Sequence, residues 1–170
     1  MAVYGNRAID DTLLELKDEA EAAGFECKAA IAAVAEHSIF HQFGAGRPDI
    51  QDETQLQEFA KTIIAHMQDA SKLEVPGNHP YRAYNGVPLK PKAGKNCTSC
   101  GICAKECPVG AISLTDLKTE DKDKCISCMR CIAVCPSHAR SLNGLMVMAA
   151  GKKMEKACSS RKENTLFIKV

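Results

Sequence analysis

The stretch "CTSCGICAKECP" (97–108) places four cysteines within eleven residues, and "CISCMRCIAVCP" (125–136) repeats the spacing. The pattern C-x-x-C-x-x-C-x-x-x-C-P thus occurs twice with an offset of 28 residues. The same offset matches Ser99 with Ser127, Ala111 with Ala139, Ser113 with Ser141 and Leu114 with Leu142. Agreement beyond the cysteines marks an internal duplication, so the two halves are expected to be related by a pseudo-twofold axis.

The remaining composition limits what these thiols do. The chain has 170 residues, 10 Cys and no Trp. No apolar run approaches the roughly 18 residues that a membrane helix needs. The opening "MAVYGNRAID" has neither a basic start nor an apolar core, so no secretory signal is expected. These features lead to the expectation of a cytoplasmic protein that uses no membrane. Thiols stay reduced there, and dense cysteine argues for metal before disulfides. Net charge is +1, with residues 1–75 at −8 and residues 76–170 at +9. A basic half can indicate nucleic acid. Here metal-bound thiolates offset the excess cations, and no nucleic-acid partner is expected.

Zinc is the competing metal. Structural zinc sites use two ligand pairs separated by a longer loop, and a zinc-organised interaction module would follow from that reading. Three thiols spaced by two residues instead follow the corners of a cubane, with the fourth supplied from elsewhere. In the bacterial two-cluster pattern the fourth Cys of each run ligates the other cluster. On that pattern Cys97, Cys100, Cys103 and Cys135 hold one [4Fe–4S] cluster, and Cys125, Cys128, Cys131 and Cys107 hold the second. Pro108 and Pro136 turn the chain after each fourth Cys. Gly101 suits a tight turn in the first loop, where Met129 is its mate. Ile102, Val109, Ile112, Ile126, Ile132 and Val134 supply an apolar shell.

The chain divides into a partial α/β segment (1–72), a Pro/Gly-rich linker (73–94), the cysteine repeat (95–142), and a basic helix with a tail (143–170). In the first segment "AVYG" reads as a strand ending in a turn. Ile9, Leu13, Leu16, Ala20 and Ala23 form a helical stripe that ends at Gly24. "FECKAAIAAV" (25–34) reads as a buried strand. Leu56, Phe59, Ala60, Ile63, Ile64 and Met67 form a second stripe, with Asp52 as its cap and Gln55 reaching back. The linker's prolines favour an extended path. "TLFIKV" reads as a terminal strand or docking tail.

Residues 95–142 resemble a bacterial-type two-cluster [4Fe–4S] ferredoxin. "VYGNRAIDDTLLELKDEAEAAGFE" resembles the second half of a flavodoxin-like domain. "AEHSIFHQFGAGRPD", "GNHPYRAYNGVPLKPKAGKNC" and "SSRKENTLFIKV" are similar to proteins of anaerobes that fuse the two. The resemblance implies an α+β fold: a partial flavodoxin-like segment followed by a pseudo-twofold ferredoxin domain. It implies low-potential electron transfer through two clusters, exchanged with redox partner proteins. It places Tyr4, Gly5, Asn6 and Arg7 beside a flavin ring, with FMN bound once the N-terminal half of that domain, or a homodimer, completes the site. So completed, the chain would serve a flavin-dependent oxidoreductase. Alone it shows no acid/base pair or nucleophile set, and a carrier rather than an enzyme is expected.

The other reactive residues have plainer readings. Arg140 and His138, whose repeat mates are Ile112 and Gly110, are read as surface charge near an anionic cluster, with a tuned second cluster or a docking contact as the alternative. Cys27 and Cys158 have no partner at metal spacing and are read as free thiols. His37, His41, His66 and His79 are read as structural or solvated, and Lys152, Lys153 and Lys156 as a solvated helix face.

Overall fold

The run Ala29–Val34, AAIAAV, has no polar side chain and forms the central strand of a three-stranded sheet. In the computed structural model, residues 1–68 and 72–169 are described. In chain order the elements are β1 (Ala2–Tyr4), α1 (Thr12–Ala22), β2 (Ala29–Val34), α2 (Ile50–His66), β3 (Lys92–Ala93), α3 (Ile102–Lys105), α4 (Arg130–Ala133), β4 (Arg140–Ser141), α5 (Gly144–Cys158) and β5 (Thr165–Ile168). They fall into two compact units, one of residues 1–83 and 154–170, the other of residues 84–153. Helices and two small sheets coexist, so the class is α+β.

In the first unit β1 pairs with β2 in parallel, Ala2 opposite Ala32 and Tyr4 opposite Val34. β5 pairs with β2 on the other side, antiparallel, Ala29 opposite Ile168 and Ala32 opposite Thr165. The sheet is therefore mixed, and "TLFIKV" contributes its edge strand. Ala2, Leu13 and Ala32 form the core, with Tyr4, Ile9, Ala30, Val75 and Phe167 packed against them. The expected strand over 25–34 is shorter. Phe25 is 71% exposed, because its N–H donates to Ala20 O and Gly24 at φ +90° turns the chain out of α1. The stripe of α1 is also rotated: Leu13 and Lys17 are buried while Leu16 is exposed. Residues i and i+4 share a helix face, and Lys17 stays in the buried position by donating to Glu21 at 2.7 Å.

α2 begins earlier than its apolar stripe suggests. Asp49 is the cap, accepting from Asp52 N at 3.0 Å, and Asp52 reaches back to Asp49 N at 2.9 Å. Asp52 is thus the third residue of a capping box rather than the cap. Its carboxylate is buried against Arg47, whose Nε donates at 2.9 Å and whose Nη2 also bonds it. Asn164 adds a bond to Asp52 at 3.0 Å and accepts from Val34 N at 2.8 Å. This network fixes the C-terminal segment against α2 and β2.

The segment 73–94 is divided between the units and does not run as a free linker. Leu73 is buried, and Asp11 accepts from the N–H groups of Asn78 (2.9 Å) and Arg82 (2.7 Å). The Tyr81 hydroxyl donates to Asp18 at 2.6 Å, which pushes the phenol up to about 12. In the second unit Leu89 is buried, and β3 pairs antiparallel with β4, Ala93 opposite Arg140. α5 forms where the basic helix was expected, with residues up to Lys153 in the second unit and the rest in the first.

Candidate metal centre

Two four-residue helices, α3 and α4, start the same way in each repeat. Their caps, Gly101 and Met129, are left-handed at φ +77° and +62°. Ser99 and Ser127 are left-handed at +57° and +55°, and Gly110 and His138 at +60° and +47°. The duplication seen in sequence therefore extends to backbone conformation. His138 adopts a region that strongly favours glycine, and glycine is its repeat mate.

The loops gather the cysteines into two cavities. One is lined by Cys97, Cys100, Cys103 and Cys135. The other is lined by Cys125, Cys128, Cys131 and Cys107. Each cavity takes three thiols from one run and its fourth from the other, the same grouping that the two-cluster pattern implies. The fourth cysteines are held alike: Ala111 N donates to Cys107 Sγ at 3.3 Å, and Ala139 N to Cys135 Sγ at 3.3 Å. Asp121 N donates to Ala111 O at 2.7 Å, and Gly94 N to Ala139 O at 2.7 Å, so each Cys-Pro turn is anchored at the same place. Cys103 and Cys135 are buried, whereas the repeat mates Cys100 and Cys128 are exposed.

The donor chemistry fits iron–sulfur clusters. Each cavity offers four thiols, and among the described residues no three His, Cys, Asp or Glu side chains converge on a single ion. Backbone N–H groups point at sulfur, and Pro91, Ala111, Ile112, Ile126 and Leu117 add apolar walls. Burial pushes the Cys131 thiol up to about 11, with the nearby Arg140 charge opposing. Hydrogen bonds from Ser137 and from the backbone hold the Cys135 thiol below the usual thiol range. Without a metal the Cys131 thiol therefore keeps its proton, and a metal that binds there has to displace it.

Arg140 is not surface charge. It is buried, and it lines both cavities. Sequence reasoning placed it outside the structure's interior because a cation in an apolar position of the repeat is ordinarily solvated. The signal that identifies it is the mismatch with Ile112, itself buried. Pro91 and Leu89 were also missed, because their segment reads as a linker. Lys90 bonds Cys125 O and ties that segment to the second cavity.

The flavin-side candidates are dispersed. Tyr4 and Gly5 line a cavity of about 220 Å³ with Glu36 and His37, at the C-terminal ends of β1 and β2. Asn6 is buried and donates to Cys158 O at 2.6 Å and Ser160 O at 3.0 Å, so its side chain is committed to the C-terminal segment. Arg7 is exposed. Cys27 and Cys158 are free, the latter fully buried. His37 is structural, accepting at Nδ1 from Ile39 N and Phe40 N. His41 pairs with Glu36 and His79 with Asp18. No helix among the described residues is long and apolar enough to cross a membrane.

No curated protein matches the chain in sequence. Residues 96–139 match the family model of the 4Fe-4S dicluster domain. That match covers all eight cysteines of the two cavities, and it supports an iron–sulfur domain of ferredoxin type whose chemistry is electron transfer.

Proposed function

We propose that the chain is a low-potential electron carrier with two [4Fe–4S] clusters, one on Cys97, Cys100, Cys103 and Cys135, the other on Cys125, Cys128, Cys131 and Cys107. The observation that carries this reading is the exchange of fourth cysteines between two four-thiol cavities. When bound, such clusters each accept and return one electron. The chain's own residues hold them rigidly, exclude water with apolar walls, and leave Cys100 and Cys128 at the surface. Electrons enter and leave on those sides, where a redox partner protein docks. In this reading the chain carries electrons between redox partners.

Anaerobic preparation is expected to give about eight iron and eight labile sulfide per chain. Cys107→Ala is expected to disturb the cluster held by Cys125, Cys128 and Cys131, seen by EPR after partial reduction. Stoichiometric zinc without sulfide overturns the reading. Loss confined to the cluster on Cys97, Cys100 and Cys103 overturns the crossed ligation.

A second reading couples this carrier to a flavodoxin-like flavin domain. The cavity by Tyr4 and Gly5 favours it, because ligands in parallel α/β sheets sit beyond the carboxyl ends of strands. At about 220 Å³ that cavity is smaller than the roughly 300 Å³ at which small-molecule sites begin. FMN is therefore expected to bind this chain alone weakly. Calorimetric titration with FMN tests it, and micromolar stoichiometric binding means that a second chain or a second copy completes the site.

A further inference from the structure

Arg140 is 3% exposed, so its guanidinium has been removed almost entirely from water. Its hydrogen bonds among the described residues go to two uncharged carbonyls, Nη1 to Pro91 O at 3.2 Å and Nη2 to Leu117 O at 2.6 Å. Its Nε has no hydrogen-bond partner. Glu120 lines the second cavity too, yet Arg140 is not among the ion pairs that involve the described residues. A buried charge in this condition is costly, and native proteins keep one only where an opposite charge or a ligand compensates it. Two neighbours supply that compensation. Both cavities that Arg140 lines carry four cysteines, and a cluster held by four thiolates is net negative.

We propose that Arg140 is the buried counter-cation shared by the two iron–sulfur sites, and that it raises their reduction potentials. The inference rests on the two-cluster reading above. Reduction adds one electron, from an external one-electron donor, to a site that is already negative. A fixed positive charge beside it stabilises the reduced form more than the oxidised one, and low dielectric strengthens the effect. No proton moves, because a guanidinium does not titrate in proteins. Hydrogen bonds and charge near cluster sulfur are established means of setting potential. Ile112 occupies the equivalent position of the first repeat, so the pseudo-twofold is broken electrically at this buried position. Arg140 acts through the clusters' electrostatics and is a tuning residue; it is not a ligand.

The test is an anaerobic potentiometric titration of the full chain, followed by EPR, with iron counted in every sample. The parent, Arg140→Met, Arg140→Gln and Arg140→Lys are compared. With iron content equal to the parent, Arg140→Met and Arg140→Gln are expected to lower the one-electron reduction equilibrium at least tenfold, which is 59 mV toward more negative potential. Arg140→Lys, which keeps the charge, is expected to recover most of that shift. Potentials of the iron-replete neutral variants within threefold of the parent overturn the proposal. If the neutral variants lose iron and Arg140→Lys keeps both iron and potential, the counter-charge is supported by assembly itself. If all three lose iron alike, Arg140 is a structural strut and the proposal falls. A parent with one cysteine set empty overturns the two-cluster reading first, and the shared role with it.

Discussion

At Gly101 and Met129 the backbone is left-handed, and the two positions show how much of the turn depends on glycine. A Cβ built at Gly101 meets nothing closer than Leu114 Cδ2 at 3.7 Å, an ordinary contact. Any cost of a side chain there is backbone strain alone. Gly101→Ala is expected to lose about 1–2 kcal/mol, the cost of a left-handed L residue, with iron content unchanged. Anaerobic denaturant unfolding checks it; a larger loss accompanied by iron release means that the loop cannot hold the ligands with a Cβ present. Asp52 carries the other residue-scale prediction. The hydrogen bond from Arg47 is the main cause that holds its carboxyl well below the usual carboxylate range, and burial opposes it. A depressed carboxylate contributes stability that is present above its unfolded value of about 3.9 and lost as pH falls through the folded value. Stability of the first unit is therefore expected to persist down to about pH 4 and to fall below it. Asp52→Asn is expected to cost about 3–5 kcal/mol at neutral pH, because it leaves the Arg47 guanidinium buried without its anion. It should also flatten the acid slope, and a slope equal to the parent's assigns acid sensitivity elsewhere.

At the scale of elements, what sequence disclosed depended on how local the determinant is. The cysteine loops are set by short spacing, and the repeat that encodes them is a local signal. α1, β1 and α2 were readable in kind, since period and glycine punctuation are local signals. Their faces were not, because the sheet covers a narrow strip and selects Leu13 with Lys17 rather than the whole apolar stripe. The role of "TLFIKV" depended on pairing with β2, more than a hundred residues away in sequence, and a lone apolar run does not name its partner. The burial of Arg140 was hidden for the same reason: Pro91 and Leu117, which receive its hydrogen bonds, come from segments that look like loops. Asn164 is the joint that secures β5. It accepts from Val34 N at 2.8 Å and donates to Asp52 and Gln55, each at 3.0 Å. Asn164→Ala leaves a strand N–H unsatisfied beside a buried carboxylate. The expected loss is about 2–4 kcal/mol, since an orphaned buried group costs roughly 1–3. Hydrogen exchange should show the amides of residues 165–168 opening faster than those of α1, and uniform acceleration across the first unit means that Asn164 supports the whole sheet instead.

For the whole molecule, the two units are held together internally by different means. The first unit has a sheet, two helices of more than ten residues, and the buried Arg47–Asp52–Asn164 network. The second has, besides its share of α5, two four-residue helices, a two-residue strand pair, and a small cluster of Cys103, Ala104 and Ile112 beside the cysteine-lined cavities. Helices this short are not stable alone, because nucleation costs more than so few hydrogen bonds return. Metal binding supplies folding free energy where a preformed core is lacking. Removing iron is therefore expected to unfold residues 84–143 and to leave residues 1–66 and 161–168 protected. Hydrogen exchange on protein treated anaerobically with an iron chelator reads both regions in one experiment. The amides of Ala111 and Ala139, which donate to Cys107 and Cys135 sulfur, should lose protection first, since their acceptors are the proposed ligands. Protection of these amides that survives complete iron loss means that the loops are preorganised by the chain, and that the clusters are inserted into a finished fold.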